Sequence, residues 1–145
     1  MINLYTNNPT AGQKDGTLIS QDHTQTAPLA ITLKLTEQKA VKCAIRTDTG
    51  YKTTGGVNIS FAYYDGSEYQ TTGGNINNWY VCLDNDYSSA ENALTNGTWG
   101  HTADITADIT DSNTIVWVKY DASNATTPIN DDTTAVCIKA TVEAV

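Results

Sequence analysis

The residues best suited to acid–base chemistry in this chain are its two histidines, His23 and His101. A hydrolase triad would need one of them beside a nucleophile and an orienting carboxylate. His23 lies in a long polar stretch, His101 follows Trp99-Gly100, and no Gly-x-Ser-x-Gly elbow is present. Because nucleophile, base and metal signatures are all missing, we expect a protein that is not an enzyme.

Carboxylates form a second group of candidates. They cluster at Asp84-Asn85-Asp86, at Asp104, Asp108 and Asp111, and at Asp131-Asp132, all in predicted turns or loops. Oxygen-rich loops of this kind can hold calcium, which makes Asp84 and Asp86 metal candidates. The EF-hand spacing fails, however, since no glycine occupies the sixth loop position and no glutamate closes the loop. Asp and Asn that bond their own backbone in turns explain the same residues, so we expect no cofactor.

Aromatic side chains give the one hint of a binding surface. Tyr63, Tyr64, Tyr69, Trp79 and Tyr80 gather around Asp65-Gly66. Exposed tyrosines suit sugar stacking or a protein interface, because they offer a large rigid area at a low entropic cost. The candidate binding residues are therefore Tyr63, Tyr64, Tyr69 and Tyr80. The alternative is that the tryptophans are core residues with a tyrosine or two at the rim.

The elements that must position these side chains are strands. Apolar and polar residues alternate at a period of two, as in Ile31, Leu33 and Leu35, which predicts one buried and one solvated face. We predict a hairpin of strands 30–35 and 41–47, further strands at 2–5, 57–63, 114–120 and 134–142, and a central strand at 79–83. Ser88-Ser89-Ala90-Glu91 matches a capping box and predicts one short helix ending at Asn96-Gly97.

Glycine-containing sequences mark the turns. Asp65-Gly66 predicts a type I′ hairpin, which needs positive φ at both central residues. Thr53-Thr54-Gly55-Gly56 recurs as Thr71-Thr72-Gly73-Gly74, and we interpret the two copies as paired turns. The role of the 64–78 segment stays open.

The 145 residues predict a single domain with a self-sufficient core. About seven to nine short strands with regular turn signals predict an all-β, antiparallel, immunoglobulin-like β-sandwich. Residues 6–28 are polar and predict an extended N-terminal arm or a surface loop.

Charge and cysteine usage narrow the partners. The net charge is −8, and the eight Lys and Arg are spread singly. Nucleic acid and membranes are thus not expected partners, since both need a basic patch. Cys43, Cys82 and Cys137 cannot all pair, and we expect buried, reduced thiols. The chain starts without a signal-peptide pattern, so we expect synthesis in a cytoplasm.

Three segments carry a resemblance: LYTNNPTAG at 4–12, AIRTDTGYK at 44–52 and ATVEAV at 140–145. They resemble small β-sandwich structural proteins encoded among the virion genes of tailed bacteriophages of Gram-positive gut bacteria. The resemblance implies a virion protein, with capsid decoration or head-fibre proteins first and tail proteins second. It also implies binding to the major capsid protein or other virion proteins, in many copies or as a homo-oligomer.

A second class of function stays open beside it. A carbohydrate-binding module or adhesin would contact glycans of the host surface through Tyr63, Tyr64, Tyr69 and neighbouring tryptophans. Loss of glycan binding when those tyrosines become alanine would favour this second class.

Overall fold

The computed structural model describes residues 1–20 and 27–145, so His23 and the middle of the 6–28 segment lie outside the described residues. The described chain forms nine strands: β1 Ile2–Thr6, β2 Thr17–Leu18, β3 Gln38–Thr47, β4 Tyr51–Tyr64, β5 Tyr69–Gln70, β6 Trp79–Leu83, β7 Ala103–Ile105, β8 Thr114–Asp121 and β9 Thr134–Ala144. One α-helix, α1, covers Ala90–Asn96, and a short 3₁₀ helix covers Ile76–Asn78.

The strands form two antiparallel sheets. The first sheet has the order β2-β1-β3-β8-β6. The second sheet is built on β4, which pairs with β5, β7 and β9. Because β9 pairs with residues of β4 that also pair with β5 or β7, it lies along the opposite edge of β4. This is the all-β antiparallel sandwich with one short helix that the sequence predicts.

The core lies between the inner faces of the sheets. Alternate residues of β4 are buried there, namely Val57, Ile59 and Phe61, and they face Val116 and Val118 of β8. A second, smaller cluster lies on the outer face of the first sheet, where Ala44, Cys82, Ile115 and Trp117 pack with Ala93 of α1. The strand period of two therefore serves two different packing faces.

The predicted hairpin of 30–35 with 41–47 is wrong. Residues 30–35 belong to no strand, and β3 pairs with β1 and β8 instead. Ile31 and Leu33 still pack against the core, whereas Leu35 is exposed. The alternation of apolar and polar residues indicates which side chains pack against the core, but it carries no information on which strands pair.

The predicted turn at 53–56 is also wrong, because β4 runs through it. The register against β9 shifts between Thr54 and Asn58, and Gly55 has a φ of 76°. This is a β-bulge, in which glycine supplies the left-handed residue. The copy at 71–74 is a true loop, so the two segments are not paired turns.

The Asp65-Gly66 reversal occurs where the sequence predicts it, but with a different turn. Tyr64 pairs with Tyr69, which leaves a loop of residues 65–68 between them. Gly66 has a φ of 97°, and Asp65 is not among the residues with positive φ. The carboxylate of Asp65 instead accepts hydrogen bonds from the backbone N–H groups of Ser67 and Glu68. A type I′ turn is therefore excluded.

β6 lies at an edge of the first sheet, which corrects the predicted central position. Trp79, Val81 and Cys82 are nonetheless buried, because the core covers one face of β6 and the α1 cluster covers the other. The N-cap of α1 is Ser89, one residue later than the Ser88 of the capping-box pattern, and its side chain accepts the N–H of Asn92. The 64–78 segment contains β5 and the 3₁₀ helix and connects the second sheet to the first.

The described part of the 6–28 segment is held against the first sheet, and its residues Thr17–Leu18 form β2, which pairs with β1. Asn113 donates from Nδ2 to the carbonyl O of Thr10 at 3.0 Å and to Oδ1 of Asp15 at 2.8 Å. The Arg46 guanidinium lies 3.5 Å from the centre of the Tyr5 ring and donates to the carbonyl O of Asp15 at 2.7 Å.

Candidate functional site

Tyr64 and Tyr69 meet on one face of the second sheet. They are paired residues of β4 and β5, and their ring centroids lie 5.2 Å apart at an angle of 55°. Tyr69 is 42% exposed and Tyr64 is half-buried. Both line a cleft of about 610 Å³.

Tyr63 points the other way and is used for packing. Its ring lies against the loop of Gly73 and Gly74, where a Cβ on either glycine would fall 2.6 Å from a ring carbon of Tyr63. Neighbouring strand residues face opposite sides of a sheet, so Tyr63 and Tyr64 cannot share one binding surface. Tyr63 thus fixes the 71–74 loop.

The cleft beside Tyr64 and Tyr69 has mainly apolar walls. Ile2 and Leu4 of β1, Ile31 and Leu33, and Val136 of β9 contribute to the part of the lining that the structure describes. Its volume falls within the range of small-molecule sites, although an apolar lining alone selects no ligand.

Asp131 is a carboxylate on this cleft with several hydrogen-bond donors around it. Its Oδ2 accepts from Trp79 Nε1 and from Thr134 Oγ1, both at 2.7 Å, and its Oδ1 accepts the N–H groups of Thr133 and Thr134. Burial by itself raises the pKa of Asp131, but these hydrogen bonds outweigh it and lower the pKa below its ordinary value of 3.8. The carboxylate is thus ionised and structural.

Tyr80 lies in the first sheet, away from the other candidate tyrosines. Its ring stacks on His101 with centroids 4.4 Å apart, and Lys119 Nζ lies 4.9 Å from the Tyr80 ring and 5.0 Å from the Trp99 ring. We call Tyr80, Trp99, His101 and Lys119 the Tyr80 platform. Stacked rings beside a cation are a surface that suits a polar ring with apolar faces, such as a sugar.

The charge of this platform is partly buried. Lys119 is only 9% exposed, and its Nζ donates to Gln38 Oε1 at 2.8 Å. Burial lowers the pKa of Lys119 below its ordinary value. His101 Nδ1 lies 3.0 Å from the carbonyl O of Trp79, so that nitrogen carries a proton and donates it. The ring orientation of His101 is therefore fixed.

Of the two calcium candidates, Asp84 accepts hydrogen bonds that hold part of the first sheet. Asp84 Oδ1 accepts the indole N–H of Trp117 at 2.9 Å and the backbone N–H of Tyr87 at 3.4 Å. Asp86 is exposed and has a φ of 55°. Within residues 1–20 and 27–145 there is no group of three His, Cys, Asp or Glu side chains that could hold a metal ion.

The three cysteines are free thiols on three different strands. Cys43 is fully buried in the core, and burial raises its pKa to about 12. Burial also raises the pKa of Cys82, beneath α1. Cys137 on β9 is only half-buried, which differs from the prediction of three buried thiols.

Sequence reasoning missed the grouping of Trp99, His101 and Lys119 with Tyr80. One sequence signal for this grouping is that Trp117 and Lys119 alternate with the buried Val116 and Val118, so both lie on the outer face of β8. The pairing of β8 with β6 that brings Lys119 opposite Tyr80 is not encoded locally.

β9 is an edge strand, and one half of it is well exposed. The side chains of Lys139, Thr141 and Glu143 are exposed and alternate with half-buried Ala140 and Val142. Among the described strands β9 pairs with β4 and no other. By contrast, the outer edge of β6 is partly covered, because Val81 exchanges backbone hydrogen bonds with Gly100.

Comparisons with protein-family models, with curated proteins and with solved structures found no match to this chain. Among the residues that the structure describes, no helix has the length and apolar character needed to cross a membrane.

Proposed function

We propose that this chain is a non-enzymatic structural protein of a tailed bacteriophage particle, attached to the capsid surface as a decoration protein. The particle is inferred from the three resembling segments, and its partners are the major capsid protein or other virion proteins. The net charge of −8 favours solubility at high local concentration.

The observation that carries this proposal is where the three segments lie. Leu4 of the first segment pairs with Ile45 of the second, and the N–H of Val145 in the third donates to the carbonyl O of Gly50 at 2.9 Å. Residues far apart in sequence thus form one continuous end of the sandwich. This end includes the exposed half of β9, whose outer edge pairs with no other described strand and offers a partner a strand to dock on.

Immunogold microscopy of intact particles tests this proposal. An antibody against the purified chain is applied to tailed phage particles from the lysate in which the chain is made, and antibody absorbed with the chain serves as the control. Regular label over heads supports decoration. Label restricted to tails or fibres would move the protein to host adsorption, and unlabelled particles would remove the virion role.

The Tyr80 platform favours a second candidate function, a glycan-binding module that contacts the host surface. Its stacked Tyr80 and His101 rings and the neighbouring Lys119 supply the groups that sugar recognition uses. Binding to host cell-wall glycans, measured by calorimetry, would be lost on Tyr80→Ala. The matched control is Tyr69→Ala, which alters an exposed tyrosine of the other sheet. Equal loss in both variants would exclude the Tyr80 platform as the specific site.

A further inference from the structure

Two hydrogen bonds fix the direction of the backbone groups along β9. The N–H of Tyr64 donates to the carbonyl O of Thr133 at one end, and the N–H of Val145 donates to the carbonyl O of Gly50 at the other. Odd-numbered residues of β9 therefore bond towards β4, because bonding direction alternates along an antiparallel strand. The N–H and C=O groups of Ala140, Val142 and Ala144 consequently point away from the sheet.

β9 lacks most of the devices that protect edge strands from pairing. It contains no proline or glycine, and the bulge of this strand pair lies in β4. Its charged residues in the exposed half are one lysine, Lys139, and one glutamate, Glu143. Edges of natural sheets usually carry bulges, prolines or like charges that discourage a second strand. A regular edge with one charge of each sign is compatible with pairing.

The spacing of these two charges selects a partner and a register. If a second β9 pairs antiparallel about Thr141, Lys139 of each copy faces Glu143 of the other. Ala140 then faces Val142, and both have outward-pointing backbone groups, as a hydrogen-bonded pair requires. If the register shifted by one residue, outward-pointing backbone groups of one β9 would face residues of the other β9 whose backbone groups point towards β4. A register centred on Ala140 or Val142 would separate the charges.

A contact within the chain extends the same row of charges. Lys52 Nζ on β4 lies 3.5 Å from Glu143 Oε1. Pairing about Thr141 would place Glu143 between Lys52 of its own chain and Lys139 of the other copy. Opposite charges on directly facing residues stabilise cross-strand pairs.

We propose that β9 pairs with β9 of a second copy of this chain across a two-fold axis at Thr141, so that two sandwiches share one continuous sheet. The pairing goes beyond the proposed function, to which it would add a contact between copies on a particle. Pairing of residues 139–143 about Thr141 makes a contact that is small compared with a standard interface, so we expect a weak dimer that dissociates on dilution.

Disulfide trapping tests the register directly. In a Cys137→Ala background, Thr141→Cys places two thiols opposite each other across the axis, and mild oxidation should give a covalent dimer. The matched control is Glu143→Cys, also exposed on β9, which would face Lys139 and should stay monomeric. Equal cross-linking of both variants, or of neither, would overturn the proposed register.

Sedimentation over a range of protein concentrations tests the contacts. The wild type should approach twice its 15.6 kDa chain mass. Val142→Pro removes an outward N–H without touching the β4 ladder and should be monomeric. Lys139→Glu, a surface change that should not alter folding, should also be monomeric, and adding Glu143→Lys should restore the dimer.

A wild type that stays monomeric throughout, or a dimer that Val142→Pro and Lys139→Glu both leave intact, would overturn the pairing. This result is independent of the virion role. A monomer found on particles would contradict only the β9 dimer, and a β9 dimer absent from particles would contradict only the proposed function.

Discussion

Trp79 Nε1 donates a 2.7 Å hydrogen bond to Asp131 Oδ2 and thereby ties β6, at the edge of the first sheet, to the loop that leads into β9 of the second. The same indole ring packs edge-on against Tyr120, with centroids 5.2 Å apart, and lies 6.0 Å from the Phe61 ring. One side chain thus contacts both sheets, and the Asp131 carboxylate fixes its orientation.

We predict that Asp131→Asn destabilises the fold by about 1–3 kcal/mol at neutral pH, because it replaces charge-assisted hydrogen bonds with weaker ones. Urea unfolding measures the change. Asp86→Asn is the control, since Asp86 is exposed and asparagine tolerates its left-handed backbone. Equal losses in the two variants would contradict the role of Asp131.

The Asp131 contribution should depend on pH. Its pKa in the folded protein lies below the ordinary value of 3.8, so its stabilisation is fully present above that value. It is lost as the pH falls through the folded pKa and the carboxylate takes up a proton. The difference in unfolding free energy between wild type and Asp131→Asn should therefore shrink with acidification below about pH 4. A difference that stays constant with pH would exclude this linkage.

Because Tyr63 packs against the 71–74 loop, we predict that one methyl group added at Gly73 strongly lowers the free energy of unfolding. Gly73→Ala would place Cβ 2.6 Å from the Tyr63 ring, whereas a Cβ on Gly66 meets nothing within 4 Å. Both glycines have positive φ, at 119° and 97°, so Gly66→Ala controls for backbone strain. We expect Gly73→Ala to cost about 1–3 kcal/mol more in thermal or urea unfolding. Adding Tyr63→Ala should remove that excess, and an unchanged excess would argue against the contact.

The thiols should react in the order of their exposure. In the folded protein an aromatic disulfide reagent should modify Cys137 first, while Cys43 stays protected until unfolding because its pKa is raised to about 12. Mass spectrometry of peptides identifies each modified residue, and urea-unfolded protein gives the reference in which all react. Modification of Cys43 as fast as Cys137 under native conditions would contradict the packing.

Local alternation was sufficient to predict that 41–47, 57–63, 114–120 and 134–142 lie in strands, which are β3, β4, β8 and β9, because the side-chain period of a strand is set by its geometry. Which strands pair with one another was less predictable. Ile31 and Leu33 find the core from an unpaired segment, and Gly55 continues β4 as a bulge where the sequence indicates a turn. Both outcomes depend on residues distant in the chain.

Some contacts of the candidate binding residues are predictable from the sequence and others are not. Tyr64 and Tyr69 meet because a short loop joins them, and such proximity is readable from sequence. Tyr80 joins the other sheet because the 64–78 segment connects the two sheets. Its neighbour Lys119 comes from a strand almost forty residues later, so only the folded topology reveals the platform.

Quantitative mass spectrometry of particles purified on a density gradient tests the virion role most directly. If the chain is a virion protein, it should sediment with intact particles in many copies, at a constant ratio to the major capsid protein across gradient fractions. Particles that lack the chain, while the unfractionated lysate contains it, would contradict the virion role.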